Sequence, residues 1–378
     1  MTHSPSPVTP RTWLVAPLAA DVRRSIDRLA GSADVRQVAV MPDVHRSGDV
    51  CVGVAVATSG LVYPAAVGGD IGCGMAALRF DAAADILAAE ATALEILRGF
   101  RGVVPALKRR RADAVGGPDP ERLSAAALAR AARRDGAWQL GTLGRGNHFL
   151  ELQADQEGWL WLMVHSGSRG IGRAIDAWHR RTAVPVDDGG LAALDSTTAV
   201  GRAYLDDVAW AREWSRTNRA CIARAAAEIL RTVCGATAEW GTLVDCDHNH
   251  VRAESHEGVD LLVHRKGALS ARAGERGLVP GSMGTASFHT VGRGSAAALE
   301  SSSHGAGRAL PRGTAAERID AGRLVREMHG VWFDARRAGQ LRDEAPSAYK
   351  DIRAVMRAQR ELTAVERELR PVLSYKAT

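Results

Sequence analysis

The sequence predicts an α+β fold built as one large domain. Strand-like and helix-like segments are mixed without the regular strand–helix–strand rhythm of a doubly wound sheet. No break in composition divides the chain, and no internal repeat is visible. Its 378 residues can bury a large core, whether in one big domain or in two ordinary ones.

The elements follow in order. Residues 1–12, rich in Ser, Pro and Thr, read as a disordered tail that leaves 13–378 as the folded domain. Residues 21–31 carry Val22, Ile26 and Leu29 at helical spacing and stop at Gly31. "VRQVAVMPDVH" (35–45) reads as a strand running into a polar turn. Residues 81–100 read as an amphipathic helix, and the Arg- and Ala-rich stretch 107–135 as a surface helix pair. "GWLWLMVH" (158–165) is a buried strand that ends on a histidine. A long helix is expected from about 200 to 233, with Tyr204, Val208, Ala211, Trp214, Ile222, Ile229 and Val233 sharing much of one face. Residues 260–267 form a further strand. Residues 267–312 are dense in Gly and Ser, the usual composition of a flexible linker. They nevertheless contain "GLVPGSMGT" and "SSSHGAGR", which are too specific for one. A helix over 346–362 and a final strand, "RPVLSYK" (370–376), close the chain.

Composition bounds the function classes. The hydrophobic fraction of 46% and charged fraction of 24% suit a soluble globular protein. No apolar run approaches the roughly 18 to 20 residues of a membrane span, so no membrane partner is expected. The N-terminus lacks the apolar core of a secretory signal. Five scattered cysteines do not form a disulfide framework, so a cytoplasmic location is expected. The net charge of +6 is compatible with a nucleic-acid or nucleotide partner. A general bias towards Ala and Arg explains it nearly as well.

The chemistry gathers on short turns. "AAVGGDIGCGM" (65–75) sets Asp70 and Cys73 in one glycine-rich turn. His148 lies in "GRGNHFLEL", His165 in "VHSGSRG" where a buried strand ends, His248 in "DCDHNH" and His304 in "SSSHGAGR". A single histidine beside a glycine reads most simply as a packed or solvated residue; the repetition favours a metal site. Thiolate and imidazole suit Zn²⁺, Fe²⁺ or Mn²⁺, and by ligand chemistry alone zinc leads. Asp70, Cys73, His148, His165 and His248 are more donors than one tetrahedral ion takes. Two ions bridged by the thiolate would use them all. "VPGSMGT" and "SHGAGR" offer backbone N–H groups that could cradle a phosphate, or they are tight surface turns. Neither is a Walker A loop.

Nine segments, in order, resemble the RtcB-type RNA ligase family: "MPDVH", "PAAVGGDIGCGM", "GTLGRGNHFLEL", "VHSGSRGIG", "DHNH", "HRKGA", "VPGSMGT", "SHGAGR" and "DEAPSAYKDI". They span most of the chain. The resemblance implies a single domain of mixed and antiparallel sheets with surrounding helices. It also implies a GTP- and Mn²⁺-dependent enzyme of tRNA splicing and RNA repair. Two Mn²⁺ ions would be held by Asp70, Cys73 and His148 on one side and by His165 and His248 on the other, with Cys73 shared. His304 would be the nucleophile that attacks the α-phosphate of GTP. GMP would pass to an RNA 3′-phosphate, and the 5′-hydroxyl of a second RNA would attack the activated end and expel GMP. A 2′,3′-cyclic phosphate would first be opened.

By the same resemblance, guanylate would be held by Asn147, Asn249, Ser282, Met283, Ala306, Gly307, Tyr349 and Lys376. A lysine at position 376 would reward the O6 and N7 acceptors of guanine over the 6-amino donor of adenine; otherwise it is a solvated tail residue. Arg145, Arg169, Arg265, Lys266, Arg308 and Arg312 are candidates for RNA phosphates, with surface solvation as the plainer account of each. An archease-type activator is a candidate partner.

The match departs from the family pattern at Asp49 after "MPDVH", at Arg145 beside the His148 ligand, in the run before His304, and at Pro311. These departures sit on the nucleotide and RNA side and spare the ligands and the nucleophile. Two competing readings therefore stand: a guanylyltransferase that caps 3′-phosphate ends without sealing, and a non-catalytic metal- and RNA-binding paralogue.

Overall fold

The computed structural model of the chain, which describes residues 7–109, 116–186 and 190–377, places the Val- and Ala-rich runs in two main sheets. Their twelve strands are numbered here along the chain. The five-stranded sheet has the order Arg11–Thr12 (β1), Val35–His45 (β2), Val52–Thr58 (β3), Val259–Lys266 (β9), Asn249–His256 (β8). β1 pairs in parallel with β2, and the other pairs are antiparallel. The seven-stranded sheet runs Val244–Asp247 (β7), Gly74–Ala83 (β4), Trp159–Ser166 (β6), Phe149–Asp155 (β5), Thr363–Tyr375 (β12), Ser287–Gly292 (β11), Arg276–Val279 (β10). All of its pairs are antiparallel. Mixed sheets with helices around them agree with the expected α+β class.

Alternation along the strands gives the larger sheet two apolar faces. Leu78, Phe80, Leu150, Leu152, Leu160, Leu162 and Leu373 pack on one side with helices α2 (Glu90–Val103) and α4 (Ala199–Cys234). Met75, Ala77, Trp161, Met163, Leu278 and Leu369 fill the other. Helix α1 (Ala20–Ala30) buries Val22, Ile26 and Leu29 in a cluster with Val38, Val40, Val54 and Val56 of the smaller sheet. Helix α3 (Arg169–Arg180) follows β6 directly. α4 starts where the Thr198 side chain accepts from the Gly201 N–H and stops at Gly235, whose φ of 74° terminates it.

Several boundaries differ from the sequence expectation, each for a tertiary reason. The tail expected over 1–12 is held from Val8 on. Val8 N–H donates to Ala30 O at 3.2 Å, and β1 pairs with Ala39 and Val40. Residues 1–6 lie outside the described residues. The helix expected over 81–100 begins at Glu90, because residues up to Ala83 extend β4 and pair with Trp159. Sheet pairing overrides the helical preference of an Ala-rich run there. The helix pair expected over 107–135 is, among the described residues, a 3₁₀ turn at Pro120–Arg122 and one helical segment from Ala126. Residues 110–115 fall outside the description. The region 267–312 is no linker: it contributes β10, β11 and the paired strands Ala268–Ser270 and Ser301–Ser303. The helix expected over 346–362 is confined to Ile352–Ala358 (α5), whose first turn is capped by the Asp351 carboxylate. β12 starts seven residues before the expected Arg370. It passes Pro371, which has no N–H to give, by a register shift between Pro371 and Leu373.

Antiparallel order is what positions the site. β4 and β5 begin, and β6, β7 and β12 end, at the same edge of the seven-stranded sheet. Cys73 precedes β4, His148 precedes β5, His165 is the penultimate residue of β6, His248 follows β7 and Lys376 follows β12. The register confirms the row: Asp247 faces Gly74, Gly74 faces Ser166, His165 faces Phe149, and Leu150 faces Tyr375. Among the described residues, no helix is long and apolar enough to cross a membrane.

Candidate active site

Five donors from four separate segments meet in one chain of contacts. His148 Nε2 lies 3.2 Å from Asp70 Oδ2 and 3.3 Å from Cys73 Sγ. Cys73 Sγ lies 3.2 Å from His165 Nε2, which is 3.2 Å from His248 Nε2. Cys73 and the three histidines are all buried, while the Asp70 side chain is 40% exposed. Donors bound at about 2.0–2.3 Å to a common tetrahedral ion stand roughly 3.3–3.8 Å apart; the observed 3.2–3.3 Å lies at the short end of that range, and Cys73, His148 and His165 are close enough together to hold an ion after slight separation.

The far side of each imidazole is fixed. His148 Nδ1 faces Leu143 O at 2.9 Å and His165 Nδ1 faces Asn147 O at 3.2 Å. With Nδ1–H donating to a carbonyl, Nε2 keeps its lone pair for an ion. His248 Nδ1 lies 3.3 Å from Asn249 Oδ1. The His148 ring needs room: a Cβ on Gly144, at φ 101°, would sit 2.2 Å from its Nδ1.

Electrostatics keep His165, His248 and Asp70 in ligand form. Burial first, and neighbouring histidines second, push His165 and His248 well below the ordinary imidazole range, so both are neutral. Burial opposes the Asp70 charge, but the hydrogen bond and charge of His148 outweigh it and hold the carboxyl down to about 2. Burial, then the Asp70 carboxylate, push the Cys73 thiol up. A divalent cation inverts that logic and binds the thiolate.

His304 stands beside this cluster, its ring centroid 4.5 Å from that of His248. Its Nδ1 is 2.6 Å from Asp43 Oδ2, and its backbone N–H donates to the same oxygen at 3.1 Å. Asp43 is fully buried. The turn carrying His304 comes close to the β2 strand because position 307 is glycine. With φ at 72°, a Cβ there would lie 2.2 Å from Asp43 O.

A cavity of about 600 Å³ opens over the cluster, within the range of nucleotide-sized sites. Asp70, Cys73, His165, His248 and His304 line it, as do Asn147, Asn249, Ser282, Met283, Ala306, Gly307, Tyr349 and Lys376. His148 joins the cluster through Asp70 and Cys73. The "PGSMG" and "SHGAG" turns are tied by Ala306 N–H to Pro280 O at 3.0 Å. Lys376 is 7% exposed, no solvated tail residue; its Nζ donates to Glu344 Oε2 at 2.7 Å and Gly146 O at 3.0 Å. Tyr349 OH donates to the same Glu344 oxygen at 2.8 Å, and Arg308 and Arg312 complete its ring of partners. Opposed by burial, Lys376 and Arg312 together hold the Glu344 carboxyl low. The Asn249 amide is taken up by the protein: its Nδ2 donates to Asp70 O at 3.1 Å and its Oδ1 accepts from Gly267 N–H at 2.8 Å.

The basic residues separate. Arg265 is fully buried in a bidentate pair with Glu254 and cannot meet a phosphate from solvent, which corrects that expectation. Lys266 lines the cavity with its Nζ on Val50 O at 2.7 Å, and burial brings it down to about 8. Arg145 is exposed; the guanidinium beside His148 is that of Arg169, with Nη1 3.4 Å from Nδ1. Arg312 is 41% exposed at the cavity rim.

Three residues with no role assigned from sequence stand out. Asp43 lies in "MPDVH", Glu151 in "GNHFLEL" and Glu344 in "DEAPSAYKDI", so each sits inside a quoted motif. Glu151 lines the cavity at 3% exposure. Burial pushes its carboxyl up to about 8, against the pull of Gln153, Ser374 and Lys376.

A family model described as tRNA-splicing ligase RtcB matches residues 26–114 and 106–377 of this chain. The RNA-splicing ligase RtcB of Escherichia coli (strain K12) is 36% identical over 394 residues, covering 95% of each chain. The RNA-splicing ligase RtcB of Mycobacterium tuberculosis is 31% identical over 411 residues, covering 86% of this chain and 93% of its own. The tRNA-splicing ligase RtcB of Thermococcus kodakarensis is 34% identical over 291 residues, 65% of this chain and 59% of its own.

Proposed function

The chain belongs to the tRNA-splicing ligase RtcB family, and from that premise we propose that it is a GTP-dependent RNA ligase. It joins RNA 3′-phosphate or 2′,3′-cyclic phosphate ends to 5′-hydroxyl ends. The observation that carries the reading is His304: a histidine with Nδ1 on a buried carboxylate, its ring against the donor cluster, at the floor of a nucleotide-sized cavity.

With the Nδ1 proton held by Asp43, the free lone pair is on Nε2. Nε2 attacks the α-phosphorus of GTP; a P–N bond forms, the bond to the β-phosphate oxygen breaks, and pyrophosphate leaves. Asp43 stabilises the positive charge that grows on the ring. An oxygen of the RNA 3′-phosphate then attacks the same phosphorus, the P–N bond breaks, and His304 returns to its neutral form. The 5′-hydroxyl of the second RNA attacks the activated phosphate and GMP departs. The guanine end of the cavity is formed by Lys376 and Glu151, a donor and a carboxyl group suited to the O6/N7 acceptors and the N–H edge of the base. Exposed Arg145 and Arg312, and Lys266 on the cavity wall, would meet RNA phosphates.

Asp70, Cys73 and His148 would hold one Mn²⁺ ion and Cys73, His165 and His248 a second. Bound there, the ions would neutralise phosphate charge and polarise the leaving group. A cytoplasmic setting belongs to the same proposal, since a reducing compartment keeps the Cys73 thiol available.

The test uses GTP labelled at the α-phosphate, with Mn²⁺. The unmodified protein acquires covalent label and His304→Ala does not. Adding RNA with a 3′-phosphate and a 5′-hydroxyl then gives a joined product whose junction phosphate comes from the upstream 3′ end. No label in the unmodified protein, or joining of 3′-hydroxyl to 5′-phosphate ends, overturns the proposal.

A further inference from the structure

One turn of the long helix α4 carries three polar side chains into the interior, where an apolar face would serve packing better. Ser215, Asn218 and Arg219 are 0%, 0% and 1% exposed. Burying such groups is costly unless every hydrogen bond is met, and here Asn218 and Arg219 bond to turns that hold donors of the cluster. Ser215 Oγ donates to Ala211 O of its own helix at 2.7 Å and lies 3.2 Å from Ile71 O, between Asp70 and Cys73. Arg219 Nη1 donates to Gly72 O at 2.9 Å and Ser166 O at 3.1 Å, and its other nitrogens grip Asp245 in β7.

Asn218 joins two turns directly. Its Oδ1 accepts from Gly141 N–H at 2.7 Å, and its Nδ2 donates to Thr142 O at 3.1 Å, both in the turn that precedes His148. The same Nδ2 donates to Ser166 Oγ at 3.0 Å, one residue beyond His165. Ser166 Oγ in turn donates to Leu143 O at 2.8 Å, the carbonyl that receives His148 Nδ1. A continuous path thus runs from the Asn218 amide through the Ser166 hydroxyl to the group that orients His148.

We infer that Asn218, acting through Ser166, is a positioning residue that sets the spacing and ring orientation of His148 and His165 for metal binding. The inference rests on the proposal that the cluster holds a divalent ion. Asparagine suits the task because one planar amide supplies an acceptor and two donors at fixed angles. Aspartate keeps the acceptor for Gly141 but turns a carboxylate oxygen towards the Thr142 carbonyl and removes the donor to Ser166. The path then fails at its first link while the side-chain volume is unchanged.

The probe is Co²⁺, followed by its ligand-field and thiolate charge-transfer absorption, with Mn²⁺ affinity measured by calorimetry. Loss of a direct outer partner of a ligating histidine weakens metal affinity by about 10- to 100-fold; Asn218 acts further out, so a loss near the lower end, about 10-fold, is expected for Asn218→Asp. Ser166→Ala, which removes one oxygen, should weaken binding less and should alter the Co²⁺ spectrum in the same sense; it carries the test should Asn218→Asp not fold. In the double variant the two losses should not add, because both break one path. Leu230→Ala, on the same helix in the apolar core, should lower the melting temperature and leave affinity and spectrum unchanged. An unmodified protein that binds neither ion refutes the metal proposal itself. An unmodified protein that binds both, with Asn218→Asp and Ser166→Ala no different from Leu230→Ala, overturns this inference alone.

Discussion

Asp43→Asn should slow the covalent guanylylation of His304 about 30-fold. The carboxylate accepts from the ring at 2.6 Å and from the backbone N–H at 3.1 Å, with no exposure to solvent. Asparagine can keep both bonds through its amide oxygen, with its NH₂ on the side where Oδ1 has no partner among the described residues. The tautomer of His304 then survives and the lost quantity is charge. As Nε2 forms its bond to phosphorus, the ring moves from neutral towards imidazolium. Unit charges about 4 Å apart interact by about 4 kcal/mol at an effective dielectric constant of 20. Half of that charge developed at the transition state makes about 2 kcal/mol, which is the 30-fold. Asp43→Ala removes the bond as well as the charge and should be slower still, by about 10²- to 10⁴-fold. Rapid-quench measurement of protein-bound label at saturating GTP and Mn²⁺ reads the step directly. A rate for Asp43→Asn within twofold of the unmodified protein would refute the role given to the carboxylate. So would a loss fully explained by weaker GTP or metal binding.

Three further outcomes are expected. Cys73→Ala should lose both metal ions in calorimetry, because its sulfur lies within 3.3 Å of His148 and of His165, whereas Cys51→Ala, a residue of the separate α1 cluster, should keep full stoichiometry. Lys376→Ala should still fold, since Glu344 retains Tyr349, Arg308 and Arg312 as partners, yet lose the preference for GTP over ATP in the labelling assay; an unchanged preference would remove Lys376 from base selection. Glu151→Gln should flatten the pH dependence of the melting temperature between about pH 5 and 8. The folded carboxyl is raised from 4.5 to about 8, so the native state holds a proton that the unfolded chain has released, and stability falls as pH rises through that window. The amide variant should therefore be the more stable protein at pH 8, and parallel curves for the two would show that Glu151 is not buried as an acid.

Much of the site was legible because its chemistry sits on the punctuation of the chain. Asp70 and Cys73 share a glycine turn, and His165 ends an unbroken apolar run; residue type and position alone single these out. What could not be read was which groups touch. The order of strands across the seven-stranded sheet decides that His248, Cys73, His165 and His148 stand in a row, and strand order depends on non-local pairing. Asp43 escaped assignment because its partner lies 261 residues away. The burial of Arg265 is not legible because a strand arginine looks the same in sequence whether it meets solvent or a buried glutamate. The helix over 81–100 was misplaced at its start because Ala-rich segments suit either structure and the neighbouring strand made the choice. The separation of the Gly- and Ser-rich 267–312 into real strands could be suspected only from its two specific motifs.

The wide spacing of the donors along the chain has a consequence for how the proposed ions would be acquired. Apart from the Asp70/Cys73 turn, successive contacts in the row join residues 75, 92 and 83 positions apart. A nascent or partly folded chain therefore brings together no more than two of the cluster's five donors, and the rest meet only through long-range strand pairing, which is intrinsically slow. Filling of the complete site would then follow folding. A site finished before its first encounter with an ion selects by the cavity it already has, so coordination geometry and the supply of ions, rather than the rank order of affinities for flexible ligands, govern which element ends up inside.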